Sequence, residues 1–243
     1  MKIPKRFILT WKDENIPEKW KPCIESIKEH MPDYEIFLAT DKMNRDMIKD
    51  NFPDFLKIYD SFPYPIQRAD AARYGWLHLK GGIYMDLDYK LKGDLGHLFK
   101  ESSLYFIMSS NTKRYITNSL MASVPGHSIW LEVFEEMKKD LPWWAFGRHL
   151  HVILSTGPGM LDKVVRESKH TYTVLPGSVV NPYNICDTCF NKESLTEPLE
   201  GQSWVTWDTM LYGSWYCYSY YWASFAILFI LLVFVLFWVF RYR

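Results

Sequence analysis

Four residues in the stretch Ile66–Lys90 (IQRADAARYGWLHLKGGIYMDLDYK) have the types and spacing to do chemistry: Asp70, Arg73, Asp86 and Asp88. Asp86 and Asp88 close a short β-prone run, Ile83-Tyr84-Met85. Alternation along an extended chain turns these two carboxylates to one side and Leu87 to the other. Two hard carboxylate oxygens suit Mg²⁺ or Mn²⁺ held jointly with a phosphorylated ligand, because these ions take few protein ligands and keep water or phosphate for the rest. Asp70 and Arg73, at i and i+3, share one face of a helical pattern. A lone D-x-D is also common as a solvated turn, and an Asp/Arg pair as a surface ion pair that stabilises little.

The elements that must position these groups are legible around them. Ile66, Ala69, Tyr74, Leu77 and Leu79 recur at helical spacing, and the pair Gly81-Gly82 ends the run as a helix C-terminus. The strand Ile83–Met85 then delivers the D-x-D. Upstream, Arg6–Thr10 reads as a buried strand, Pro17 opens a helix carrying Trp20, Ile24, Ile27 and Met31, Tyr34–Leu38 is a second strand, and Asp41–Asn51 a helix. Downstream, strands are expected at Leu104–Met108 and Thr171–Leu175. Helices are expected at Ser128–Lys139 and from the Ser155-Thr156-Gly157-Pro158-Gly159 turn to Ser168. A glycine-rich turn entering a helix can hold a phosphate on its free N–H groups. Leu141–His151 (LPWWAFGRHLH) reads as a loop, either membrane-lying or acceptor-binding, or else packed into the core. Residues 182–199 read as an irregular surface excursion. The order β-α-β-α-α-β, with ligands at the carboxyl end of a central strand, is that of an open α/β sheet.

The joined stretch YPIQRADAARYGWLHLKGGIYMDLD, an A-D-x-x-R helix followed at fixed spacing by G-G-x-Y-x-D-x-D, resembles the DXD-containing glycosyltransferases of the sugar-binding-region type. That group includes fungal inositol-phosphorylceramide mannosyltransferases, Golgi α-1,6-mannosyltransferases and bacterial capsular polysaccharide transferases, and more distantly the clostridial glucosylating toxins. Ile3-Pro4-Lys5 with Thr10-Trp11, Asn118 in the Thr117–Ser123 segment, the T-G-P turn and Gly213-Ser214-Trp215, with Ser203-Trp204 as an earlier alternative, extend the likeness. The resemblance implies a GT-A-type open, mostly parallel sheet flanked by helices. It further implies a metal-dependent, retaining transfer of a hexose, with mannose favoured, from a nucleotide-diphosphate sugar. On that reading Asp70, Arg73 and Asp86 do the catalytic work. Trp11, Asp70, Arg73, Tyr84, Asp86, Ser214 and Trp215 bind the donor, Trp11 either beside the base or as a core residue. Asn118 is either an acceptor-side contact or a turn residue. Mn²⁺ or Mg²⁺ is held by Asp86 and Asp88. The family's C-terminal strand carries a histidine that this chain lacks, so Asp208 is the third ligand or the aspartates work with water alone.

Net charge is zero over 243 residues, which removes the electrostatic argument for nucleic-acid binding. Tyr220–Phe240 (YYWASFAILFILLVFVLFWVF) is uncharged throughout and long enough to cross the roughly 30 Å hydrocarbon core. Trp215–Trp222 forms an aromatic belt before it, and Arg241-Tyr242-Arg243 follows. The expected organisation is therefore a glycosyltransferase domain over 1–215, and an aromatic belt, single transmembrane helix and basic tail over 216–243. Lys2, Lys5 and Arg6 lead into no signal-type apolar region. A tail anchor would leave the domain cytosolic, whereas the terminal arginines argue for a lumenal one. The anchor favours a lipid acceptor, and the resemblance implies an endomembrane (Golgi or ER) location and a glycolipid such as inositol phosphorylceramide. Glycan or protein acceptors, a metal-dependent phosphodiesterase, and a catalytically dead sugar-nucleotide-binding protein are the alternatives. Cys186-Asp187-Thr188-Cys189 lacks the partners of a zinc site and reads as a disulfide or two thiols.

Overall fold

The computed structural model describes residues 2–109, 115–180, 192–201 and 205–217, with Ala226, Phe229, Ile230 and Val233 beyond. The chain forms two compact units, Met1–Trp204 and Val205–Arg243. In order, the first contains β1 (Arg6–Trp11), α1 (Lys21–His30), β2 (Glu35–Thr40), α2 (Asp41–Asn51), α3 (Leu56–Ser61), α4 (Pro65–Lys80), β3 (Gly82–Met85) and β4 (Tyr89–Leu91). It continues with β5 (Leu104–Met108), β6 (Ile116–Ser123), α5 (Ile129–Met137), α6 (Gly147–Ser155), α7 (Pro158–Glu167), β7 (Thr173–Leu175), α8 (Gly177–Val180) and β8 (Thr196–Pro198). The second unit contains α9 (Trp207–Cys217).

Six strands make one sheet in the order β2-β1-β3-β6-β5-β7. β6 runs antiparallel to both of its neighbours, and the remaining pairs are parallel. The expected mostly parallel sheet flanked by helices is thus observed. Strand alternation sorts the core into two layers. Ile8, Tyr84, Phe106 and Met121 pack with the α2, α4, α5 and α7 side. Their neighbours Phe7, Leu9, Ile83, Met85, Ile107 and Leu120 pack on the α1 side. From β1 the chain passes to β2 on one side and, after α4, returns to β3 on the other. Strand order therefore reverses at β1, and a crevice opens beyond the carboxyl ends of β1 and β3, where ligands bind in open α/β sheets.

The double-glycine stop after α4 has a steric cause. Gly81 has φ +61° and Gly82 φ +117°. A Cβ on Gly82 would lie 2.6 Å from the Arg6 carbonyl oxygen on β1. Gly82→Ala is therefore expected to lower stability by about 2 kcal/mol or more, read by urea unfolding, because positive φ and a backbone clash add.

Several expectations need correction. The strand before the D-x-D ends at Met85, and Asp86-Leu87-Asp88 forms the turn joining β3 to β4. The aromatic segment 141–151 is not all loop: α6 begins at Gly147, whose φ of +80° sets the turn into it. The excursion 182–199 includes β8, which pairs antiparallel with β4. Gly213-Ser214-Trp215 lies on helix α9 and follows no strand within that unit's described residues. Cys186, Cys189, Ser203 and Trp204 lie outside the described residues, as does almost all of Tyr220–Phe240. Among the described residues no helix is long and apolar enough to cross a membrane.

Candidate active site

At the crevice, Asp70, Arg73, Asp86, Asp88, Asn118 and Trp11 all line one cavity of about 370 Å³. Sheet geometry brings them there. Asp86 continues the parity of Tyr84, so it faces α4, while Leu87 turns into the opposite core layer. The expected same-side carboxylates and averted Leu87 are both found, although a turn rather than a strand carries them.

Arg73 is the hub. Its Nη2 lies 3.0 Å from Asp70 Oδ1, and its Nη1 lies 3.1 Å from Asp86 Oδ1. Nη1 also donates to the Asn118 carbonyl at 2.9 Å. The guanidinium lies 4.6 Å above the Tyr84 ring centre, and the Tyr84 hydroxyl donates to Asp86 Oδ1 at 2.6 Å. Asp70 is further held by Asn118 Nδ2 at 3.0 Å on Oδ1 and by the Thr156 hydroxyl at 2.9 Å on Oδ2. The side chains of Asp70 and Arg73 are each only 4% exposed, so this is a buried pair rather than a surface ion pair.

The electrostatics follow from burial. Burial pushes the Asp70 carboxyl up to about 6, and Arg73, Thr156 and Asn118 hold it from rising further. Burial opposes the Arg73 charge, but Asp86, Tyr84 and Asp70 keep it firmly protonated. Burial, then the neighbouring Asp86 charge, pushes Asp88 up to about 7. The irregular segment after β8 lies against Asp88: Leu199 N–H donates to the Asp88 carbonyl at 2.7 Å, and Gly201 leaves no room for a Cβ beside Asp88 Oδ2.

Two groups in this network await a partner. Arg73 Nε is buried without a hydrogen-bond acceptor, and among the described residues nothing donates to Asp86 Oδ2. An unmade buried bond costs about 1–3 kcal/mol, which a ligand oxygen at Nε would offset. The hard-oxygen donor set of Asp86 and Asp88, with mutual repulsion raising the latter, fits a divalent cation. Among the described residues, no group of three or more acidic, histidine or cysteine side chains could hold a metal alone.

Against the model of the "Glycosyltransferase sugar-binding region containing DXD motif", residues 17–105 match. These include α4, β3 and the D-x-D turn. Residues 17–105 belong to that family. The chain is also 32% identical over 206 residues to mannosyl phosphorylinositol ceramide synthase CSH1 of Saccharomyces cerevisiae, covering 85% of this chain and 54% of the relative. It is 39% identical over 163 residues to inositol phosphoceramide mannosyltransferase 3 of Schizosaccharomyces pombe, covering 66% and 44%. The chain thus spans about half the length of the curated relatives it matches. Among solved structures, the PaToxG glycosyltransferase is similar at 18% identity and TM-score 0.49, covering 68% of each chain.

The structure brings together most of the residues singled out from sequence. Trp11 stands at the cavity wall, its ring edge-on to Trp20 at 4.6 Å. Tyr84, expected at the donor, is instead buried beneath Arg73 and bonded to Asp86, and does not line the cavity. Asn118 lies on strand β6, not in a turn, and binds Asp70. The T-G-P turn supplies Thr156 to Asp70 and places Pro158 at the cavity. Asp208 and Ser214 fall in α9, in the second unit, with Trp215 on the same helix. Asp208 Oδ1 accepts the Thr209 N–H at 2.9 Å and the Thr206 hydroxyl. Sequence reasoning missed Arg148, which lines the cavity from α6. A single arginine inside an aromatic run carries no local signal for that role.

Proposed function

We propose that the protein is a GT-A-type, metal-dependent, retaining hexosyltransferase that moves mannose from a nucleotide-diphosphate sugar to a lipid acceptor of the inositol-phosphorylceramide kind. The observation that carries this reading is the Asp70–Arg73–Asp86 network meeting Asp88 in one cavity within the family-matched segment. Relatives named as inositol phosphoceramide mannosyltransferases support mannose and the lipid acceptor. The retaining outcome follows the family resemblance.

In this reading Asp88 and Asp86 hold Mn²⁺ or Mg²⁺, with either Asp208 or water alone completing the shell. The ion supplies Lewis-acid stabilisation of charge on the departing diphosphate. Arg73, kept cationic by its two carboxylates, offers Nε to a hydroxyl of the hexose. Asp70 fixes the guanidinium plane, and Tyr84 orients Asp86. Trp11 contacts the base, and by the family resemblance Ser214 and Trp215 are donor-binding residues. Such preorganised charge needs no rearrangement as the sugar separates from diphosphate, which leaves with the bonding electrons. The uncharged run Tyr220–Phe240 is proposed as a single-pass anchor in an endomembrane. A screen of nucleotide sugars with Mn²⁺ and a lipid extract, read by mass, tests the reading. Release of free sugar regardless of acceptor would favour a phosphodiesterase or hydrolase instead.

The raised carboxyls set a pH dependence. Asp88, pushed up to about 7 without the cation, must lose its proton to bind it, and Asp70, pushed up to about 6, must be ionised to hold Arg73. At subsaturating cation kcat/KM is therefore expected to fall by about tenfold per pH unit below about 7, and more steeply below about 6. Asp70→Asn should remove the lower step. A flat profile between pH 5 and 8 would contradict these assignments.

A further inference from the structure

We infer that Arg148 is the anchor for the phosphate of an anionic lipid acceptor, and that the aromatic loop before it seats the acceptor's bilayer against the cavity. This rests on the transfer reading above and deepens it. Arg148 lines the cavity that holds Asp70, Asp86 and Asp88. Its guanidinium lies 5.1 Å from the centre of the Tyr64 ring, just before α4. Yet among the described residues no carboxylate pairs with it, and its Nε is buried without a hydrogen-bond partner. Arg73, on the same cavity, has two carboxylate partners. A cation left without a carboxylate partner on the wall of the cavity is held for an anion that arrives from outside, and a guanidinium fork matches a phosphate.

The approach to Arg148 indicates the source of that anion. Trp143 is 84% exposed, Phe146 66% and Trp144 48%, and Trp143 and Phe146 rings meet edge-on at 6.4 Å. Only Gly147 separates Phe146 from Arg148. A monomeric domain leaves so many large aromatics exposed together where they meet an apolar phase, and Trp and Phe favour the lipid interface. The chain thus runs from an apolar patch directly to an unpaired cation at the reaction cavity. An amphiphile with an apolar tail and a phosphodiester headgroup has the same order of parts. A donor diphosphate could also use a cation, but it requires no adjoining apolar surface.

Binding of glycerophosphoinositol, the soluble headgroup, and of GDP with Mn²⁺ tests this by calorimetry on the full chain. Arg148→Gln is expected to weaken headgroup binding roughly ten- to hundredfold and to leave GDP binding unchanged. Arg148→Lys should recover part of it. Asp88→Asn should show the reverse pattern. Trp143→Ala with Phe146→Ala should leave headgroup binding intact but lower transfer to acceptor embedded in phosphatidylcholine vesicles. Headgroup binding that is absent in the wild type or unchanged in Arg148→Gln overturns the inference. So does loss of GDP binding in Arg148→Gln, which would assign the cation to the donor. Failure of the wild type to bind any nucleotide would count against the transferase reading while the headgroup measurement still decides Arg148.

Discussion

Replacing Asp88 with asparagine is expected to reduce sugar transfer at least about a hundredfold while the melting temperature of the metal-free protein at pH 8 holds or rises. The two effects separate because the carboxylate is costly where it stands. Its folded-state value is pushed up to about 7 by burial and by Asp86. The folded protein therefore binds more protons than the unfolded chain between about pH 4 and 7. Stability contributed by this group is present at low pH and lost as pH rises through that window. Asparagine keeps the shape without the charge, so the stability slope should flatten. Thermal melts of both proteins at pH 5 and pH 8, beside a transfer assay, check both halves. An Asp88→Asn protein that is less stable at pH 8 and still active would refute the assignment.

The largest loss of stability is expected at Arg73. Arg73→Ala leaves Asp70 buried without its counter-charge, with Asp86 also unpartnered on that side. Removing one member of a buried pair costs about 3–5 kcal/mol. For a domain of this size that is a fall in Tm of roughly 10 °C. Neutralising both ends, in Asp70→Asn with Arg73→Met, should restore much of the stability and none of the transfer. Recovery of activity in the double variant would show that the pair serves the fold alone. Equal melting temperatures of Arg73→Ala and wild type would show that it is not a buried pair in solution.

How far the site could be read from sequence depends on whether its geometry is local. α4, its glycine stop and β3 are local features, and the i,i+3 spacing of Asp70 and Arg73 survives folding intact. The parity that joins Tyr84 to Asp86 is equally local. What closes the network is not. Asn118 reaches Asp70 because β6 enters the sheet antiparallel beside β3, and a strand inserted by tertiary pairing has no signature near residue 70. Thr156 reaches Asp70 from the turn between α6 and α7, again by tertiary packing. β4 and β8 are each three residues long and become strands through their mutual pairing. α6 was hidden because Trp143, Trp144 and Phe146 mask the point where helical spacing starts at Gly147. Arg148 gains meaning only when α6 lies against the cavity.

The central claim is that the Asp86–Asp88 turn holds a divalent ion against a nucleotide diphosphate while Arg73 faces the sugar. The most direct test is an anomalous-difference map from crystals grown with Mn²⁺ and GDP-mannose. A manganese peak within coordination distance of the Asp88 carboxylate and of both phosphates, with the hexose beside Arg73, is the expected result. Manganese or nucleotide bound away from this cavity would contradict the account.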